Sequence, residues 1–176
     1  MIRLHDLDFE LFIPKKEIAA RVSAIGIALT ERFLGKKPVF ISILSGSFVF
    51  ASDLIRAVDT DLEIVFVKLA SYSGTTSTGE IQTMMGLSSD IAGRHVVVVE
   101  DIVDSGQTLH FFLQKLAEKS PASITTAALL VKPDALKFPV PIDFSCFEIS
   151  DKFVVGYGLD YDGLGRNLPD IHQLSN

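Results

Sequence analysis

The chain has 176 residues, enough for one domain that can bury roughly 70% of the surface its unfolded form would expose. Hydrophobic residues make up 48%, with 13 Phe and no Trp, which excludes disorder and supplies a core without staples. The net charge of −6 offers no global positive field for nucleic acid or anionic lipid, and a single cysteine, Cys146, excludes an intrachain disulfide and a Cys-based zinc site.

The N-terminal stretch MIRLHDLDFELF is punctuated by Arg3, Asp6, Asp8 and Glu10 and lacks the uninterrupted apolar region of a signal peptide. No apolar run approaches the roughly 20 residues needed to cross a bilayer. These features predict a soluble, cytoplasmic protein without a membrane partner. Pro14 sits where a helix can begin, and Ile18, Val22, Ile25 and Leu29 follow at intervals of four, three and four. That spacing draws one apolar stripe down an amphipathic helix, which Gly35 is placed to end. Val39–Leu44 (VFISIL) reads as a buried strand, followed by Ser45-Gly46-Ser47 and a second helix over 48–58. Residues 62–72 (LEIVFVKLASY) form a further β-branched strand. The stretch 73–79 (SGTTSTG) has almost nothing to bury and predicts a mobile loop.

A strand at 96–99 then leads through an acidic turn into a helix carrying Leu109, Phe112, Leu113 and Leu116 on one face. Residues 124–131 (ITTAALLV) form another buried strand. After Lys132-Pro133 the pattern is irregular, with Pro139, Pro141 and short apolar runs at 144–149 and 153–157. Strands alternating with helices predict an α/β fold with a parallel sheet flanked by helices on both faces. One domain is expected over 1–176, with about 133–176 and the N-terminal segment forming a small lobe at the sheet's edge.

The chemistry concentrates in 96–108, VVVVEDIVDSGQT. A parallel sheet delivers its strands' carboxyl ends to one crevice, where ligands bind. Gly106 lets the backbone approach a ligand, and the first amides of the following helix point outwards. With the helix dipole and the hydroxyls of Ser105 and Thr108 they suit an anion. Glu100, Asp101 and Asp104 would repel a phosphate unless the ligand also presents hydroxyls or a divalent metal, as a ribose phosphate or a diphosphate does. A bare D-S-G turn would be explained by Asp104 or Ser105 capping the helix. The complete string favours a ligand. Nothing matches G-x-x-x-x-G-K-[ST] or G-x-G-x-x-G, so neither a Walker-type ATPase nor a Rossmann dinucleotide site is supported. The four histidines, His5, His95, His110 and His172, lack ligand spacing.

VEDIVDSGQT resembles the phosphoribosyl pyrophosphate (PRPP) loop of the type I phosphoribosyltransferases. LSGSF at 44–48 resembles their pyrophosphate loop and SYSGTTSTGEI at 71–81 their flexible catalytic loop. LLVK with DKFVVGYGLDY resembles the purine side of the hypoxanthine-guanine phosphoribosyltransferases. The resemblance runs from residue 44 to about 166 in family order. It implies that Glu100 and Asp101 hold the ribose hydroxyls, directly or through Mg²⁺, and that Asp104, Ser105, Gly106, Gln107 and Thr108 hold the 5-phosphate. Asp104 would also be the general acid/base at purine N7.

By the same resemblance Lys132 would donate to the purine O6, Phe153 would stack on the base and Val154 would read its edge. Asp160 and Arg166 would handle a second Mg²⁺ and pyrophosphate, and Ser71 and Tyr72 would belong to the closing loop. Where relatives often carry a basic residue in the pyrophosphate loop this chain has Ser45, so the amides of Ser45, Gly46 and Ser47 are expected to do more. A cis Leu44–Ser45 peptide is implied as well. The expected partners are a 6-oxopurine and PRPP, with no nucleic acid, in a homodimer or homotetramer.

Two other readings remain at this point. A PRPP-sensing regulator that binds nucleic acid would need a basic surface that this acidic chain lacks. A change of base is opposed for adenine by Lys132, since an ammonium accepts no hydrogen bond, and for a pyrimidine by the DKFVVGYGLDY resemblance, whereas xanthine stays open.

Overall fold

The computed structural model describes residues 1–71, 81–85 and 90–175, with only the backbone of 70, 71 and 81–85. Tyr72 and the stretch 73–79 lie outside the described residues.

The first strands, β1 (Ile2–Leu4) and β2 (Leu7–Ile13), pair as an antiparallel hairpin. Helix α1 (Lys15–Phe33) starts on the Pro14 carbonyl, which accepts from the amides of Glu17 and Ile18. Its expected stripe of Ile18, Val22, Ile25 and Leu29 is buried throughout. Helix α2 (Phe48–Ala57) crosses it at Gly26, where a Cβ would fall 2.5 Å from that of Ala57. That closeness requires the glycine. Both helices cover one face of the main sheet.

The main sheet has the order β5 (Ile81–Met85), β4 (Glu63–Ser71), β3 (Val39–Leu44), β6 (His95–Val103), β7 (Ser123–Val131) and β8 (Phe144–Glu148). β4, β3, β6, β7 and β8 are parallel, and β5 is added antiparallel to β4. The run 96–99 shows why the fold is layered. Val97 and Val99 pack with α1 and α2, whereas Val96 and Val98 pack with Leu109, Phe112 and Leu116 of α3 (Gln107–Ala117) on the other face. Alternate side chains of one strand thus enter two cores, so an unbroken valine run is what both faces demand.

Two boundaries differ from the sequence pattern. β6 does not stop at Glu100-Asp101 but continues to Val103, because parallel pairing with β7 carries on through Ile102 and Val103. β5 follows a Gly/Ser/Thr stretch and has one neighbour only, so its five residues carry little periodic signal.

The chain's two ends build a second sheet of order β1, β2, β10 (Ile171–Leu174) and β9 (Val154–Val155). Within 133–176, then, Phe144–Glu148 extends the main sheet, while β9 and β10 join the N-terminal hairpin. No helix among the described residues is long and apolar enough to cross a membrane.

Candidate active site

Three neighbouring parallel strands, β3, β6 and β7, end side by side, and each delivers one predicted segment: Ser45-Gly46-Ser47, 104–108 and Lys132. This is the carboxyl-end crevice where open α/β sheets bind ligands.

The turn after β6 is shaped by Gly106, whose φ of 77° is left-handed. A Cβ there would lie 2.9 Å from the Phe138 carbonyl oxygen. Only glycine meets both conditions. Behind the turn the Ser105 carbonyl accepts from the amides of Lys137 and Phe138, which fixes it against the 133–141 segment. In front is a cavity of about 130 Å³ lined by Glu100, Asp104, Ser105, Gly106, Gln107 and Thr108 among others. The predicted phosphate residues therefore share one recess at the start of α3, where helix amides and dipole favour an anion.

Glu100 and Asp101 are adjacent on a strand, so their side chains should diverge. Instead the two carboxyls lie close enough for each to perturb the other's protonation. Burial, and then the neighbouring Asp101 charge, push the Glu100 carboxyl well above its usual range. Burial also raises Asp101, against the hydrogen bonds from Glu100 and the Ile102 amide and the more distant charge of Arg166. Glu100 Oε2 is buried with no hydrogen-bond partner. Such an orphaned carboxylate oxygen beside a second carboxylate fits Mg²⁺, which takes one or two protein carboxylates and completes its shell with substrate oxygens and water. Among the described residues no three His, Cys, Asp or Glu side chains gather into an all-protein metal cage.

Gly46 brings the loop after β3 onto this pair. A Cβ at Gly46 would fall 1.5 Å from Asp101 Oδ2, so the carboxylate occupies the space any side chain would need. The Leu44–Ser45 peptide is cis, as the resemblance implies. The Ser47 hydroxyl is turned inwards, donating to the Ile43 carbonyl and lying 2.7 Å from Ser42 Oγ, so this serine pins the loop. A Cβ at Gly158 would fall 2.1 Å from the Gly46 carbonyl, and Arg166 donates to the Gly158 carbonyl at 2.6 Å. Arg166 also pairs with Asp160 at 2.7 Å, whose other oxygen accepts from the Gly163 amide. Asp160 is thus paired with Arg166, and it does not join Glu100 and Asp101 in one ligand cluster.

Lys132 behaves unlike an ordinary strand-end lysine: it is 6% exposed. Its ammonium donates to Asp104 Oδ2 and to Asp151 Oδ1, each at 2.9 Å. Burial alone would push the ammonium down, but the bonds to Asp151 and Asp104 outweigh it and leave Lys132 above its ordinary value. Asp151 heads the DKFVVGYGLDY segment yet has no role in the sequence reading. No sequence pattern marks it, because the burial of Lys132 that requires a second counter-charge is visible only in the structure.

Phe153 is 44% exposed and meets Phe9 and Tyr161 with ring centroids 6.1 and 5.7 Å apart. The second sheet therefore holds a partly bare aromatic face rather than a core phenylalanine. Val154 is buried on β9, the edge strand of that sheet. Of Ser71 only the backbone at the end of β4 is described.

The chain matches a family profile described as the phosphoribosyl transferase domain over residues 14–162. It is 40% identical over 163 residues to the hypoxanthine-guanine phosphoribosyltransferase of Streptococcus pneumoniae R6, covering 92% of this chain and 91% of the relative. To the hypoxanthine phosphoribosyltransferase of Escherichia coli K12 it is 41% identical over 165 residues, covering 92% and 93%. The crystal structure of a hypoxanthine phosphoribosyltransferase from Staphylococcus aureus superposes with a TM-score of 0.91 at 40% identity, covering 97% of this chain and 92% of that one.

Proposed function

The chain belongs to the phosphoribosyl transferase family, and we propose that it is a purine-salvage enzyme joining hypoxanthine or guanine to PRPP to give IMP or GMP and pyrophosphate. The observation that carries this reading is the buried Lys132 ammonium 2.9 Å from Asp104, beside the anion cavity at the start of α3. A base donor and an acid/base group meet there at the edge of a phosphate cradle.

The mechanism follows from these placements. The backbone at 104–108 and the Ser105 and Thr108 hydroxyls hold the 5-phosphate. Glu100 and Asp101 would hold the ribose hydroxyls and Mg²⁺, and Asp160 would attend a second Mg²⁺. Bound Mg²⁺ would neutralise charge on the pyrophosphate and so ease its departure. The amides of Ser45, Gly46 and Ser47 and the Arg166 guanidinium bind that leaving group. Phe153 stacks on the purine, Val154 reads its edge and Lys132 donates to O6. As purine N9 forms its bond to ribose C1′, the bond from C1′ to the pyrophosphate oxygen breaks, and Asp104 accepts the N7 proton. Positioned proton transfer of this kind contributes roughly 10²–10⁴-fold. The second sheet forms the hood over one domain spanning 1–176, and the enzyme works in the cytoplasm as a homodimer or homotetramer.

Purified protein with PRPP and Mg²⁺, offered hypoxanthine, guanine, xanthine and adenine separately, tests the reading. Turnover of hypoxanthine or guanine is expected. Turnover of adenine alone would overturn the 6-oxopurine assignment.

A further inference from the structure

We propose that Asp151 is a positioning residue for base recognition, fixing the Lys132 ammonium independently of Asp104. The inference rests on the reading of Lys132 as the purine O6 donor. An ammonium has three N–H groups, and Asp104 and Asp151 take one each at 2.9 Å, leaving the third for a ligand acceptor. The two anchors are not equivalent. Asp104 is the group that gains a proton as the glycosidic bond forms, and a neutral carboxyl attracts an ammonium far less. Asp151 takes no part in the proton transfer. Without it the ammonium would be held by Asp104 alone, and its grip would loosen during the step in which the base must stay in place.

The location of Asp151 supports the same role. It lies two residues before Phe153, in a tight turn where the Lys152 amide donates to the Ser150 carbonyl at 2.7 Å. The Phe153 carbonyl is pinned in turn by the Leu174 amide at 2.9 Å. One short segment therefore carries the stacking ring and the second anchor of the ammonium, which fixes the distance between the groups for the face and the edge of the base. The side chains of Asp104 and Asp151 are 55% and 70% exposed, against 8% for Lys132. Removing Asp151 therefore leaves no buried void and should not unfold the protein.

The test compares wild type with Asp151→Ala, Asp151→Asn and Asp151→Glu. Steady-state kinetics would give KM for hypoxanthine, KM for PRPP and kcat, calorimetry the affinity for IMP, and thermal melting the Tm. In Asp151→Ala and Asp151→Asn the hypoxanthine KM should rise about five- to tenfold, a charge-assisted hydrogen bond discounted for exposure. The PRPP KM and Tm should hardly change, and Asp151→Glu should recover most of the loss. A hypoxanthine KM that moves less than about twofold, an equal rise in the PRPP KM, or no rescue by Glu would overturn the proposal. If wild type turns over hypoxanthine and Asp151→Ala matches it, this proposal alone falls. If wild type neither turns over hypoxanthine nor binds IMP, the functional reading falls with it.

Discussion

At the proposed phosphate end of the site the geometry is set by backbone, and at the proposed base end it is set by side chains meeting across the fold. The turn around Gly106 is local: a left-handed glycine, a helix start and a carbonyl tied to the next segment. The base end has no such unit. Lys132 reaches Asp104, 28 residues earlier, and Asp151, 19 residues later, while Phe153 is propped by Phe9 of β2 and by Tyr161. A backbone cradle suits a phosphate, which presents the same oxygens in every substrate. A purine must be told from other purines, and placed side chains do that by leaving the wrong partner unsatisfied.

Asp104 belongs to both ends, so its loss should have the largest effect. Asp104→Asn keeps the shape and removes the proton acceptor, and kcat should fall about 100-fold or more. PRPP binding, followed by calorimetry, should persist because the amides and hydroxyls of 105–108 remain. Wild-type turnover in this variant would remove the acid/base role.

Lys132→Met is the cleaner cut between the two ends. It keeps the buried stem and deletes the donor, so kcat/KM for hypoxanthine should fall about 10–100-fold and discrimination against adenine should narrow. The PRPP KM should stay within about twofold of wild type. If both substrates weaken together in steady-state assays, the two ends are one cooperative unit and do not act separately.

The same contrast explains what could be read from the chain before its structure. The stripe on α1, the valine run of β6 and the D-S-G turn are short-range patterns, and they occupy the places the pattern demands. Residues at the base end carry meaning only through contacts distant in sequence. Lys132 and Phe153 were found by resemblance, because alone they pass for a solvated lysine and a core ring. Asp151 had no pattern of its own until the structure placed it on a buried ammonium. The closeness of Glu100 and Asp101 runs against strand alternation, since periodicity describes a strand with neighbours on both sides, and β3 accompanies β6 only as far as Val99. Nor does any pattern show that Gly46 must lack a side chain because Asp101 fills the space.

The smallest expected effect isolates the phosphate end through stability instead of rate. Burial holds the Glu100 carboxyl well above its usual range, so the folded protein keeps that proton after the unfolded chain has lost it. The stability associated with the protonated group is fully present below the ordinary carboxylate range and is lost as pH rises through the elevated value. Asp101 is raised too and acts in the same direction. Lys132 is raised from a much higher starting point, so its contribution persists across neutral pH and does not blur the measurement. Glu100→Gln stays neutral at every pH and removes the charge beside Asp101. Without PRPP or metal, its Tm should match wild type near about pH 4 and exceed it by a few degrees near about pH 8. The same variant should bind PRPP more weakly, because it has lost a carboxylate suited to ribose hydroxyls and Mg²⁺. A Tm difference that stays constant with pH would mean that Glu100 titrates alike in the folded and the unfolded chain, so that burial does not raise its carboxyl. The buried carboxyl pair would then not be a place where stability is given up for ligand binding.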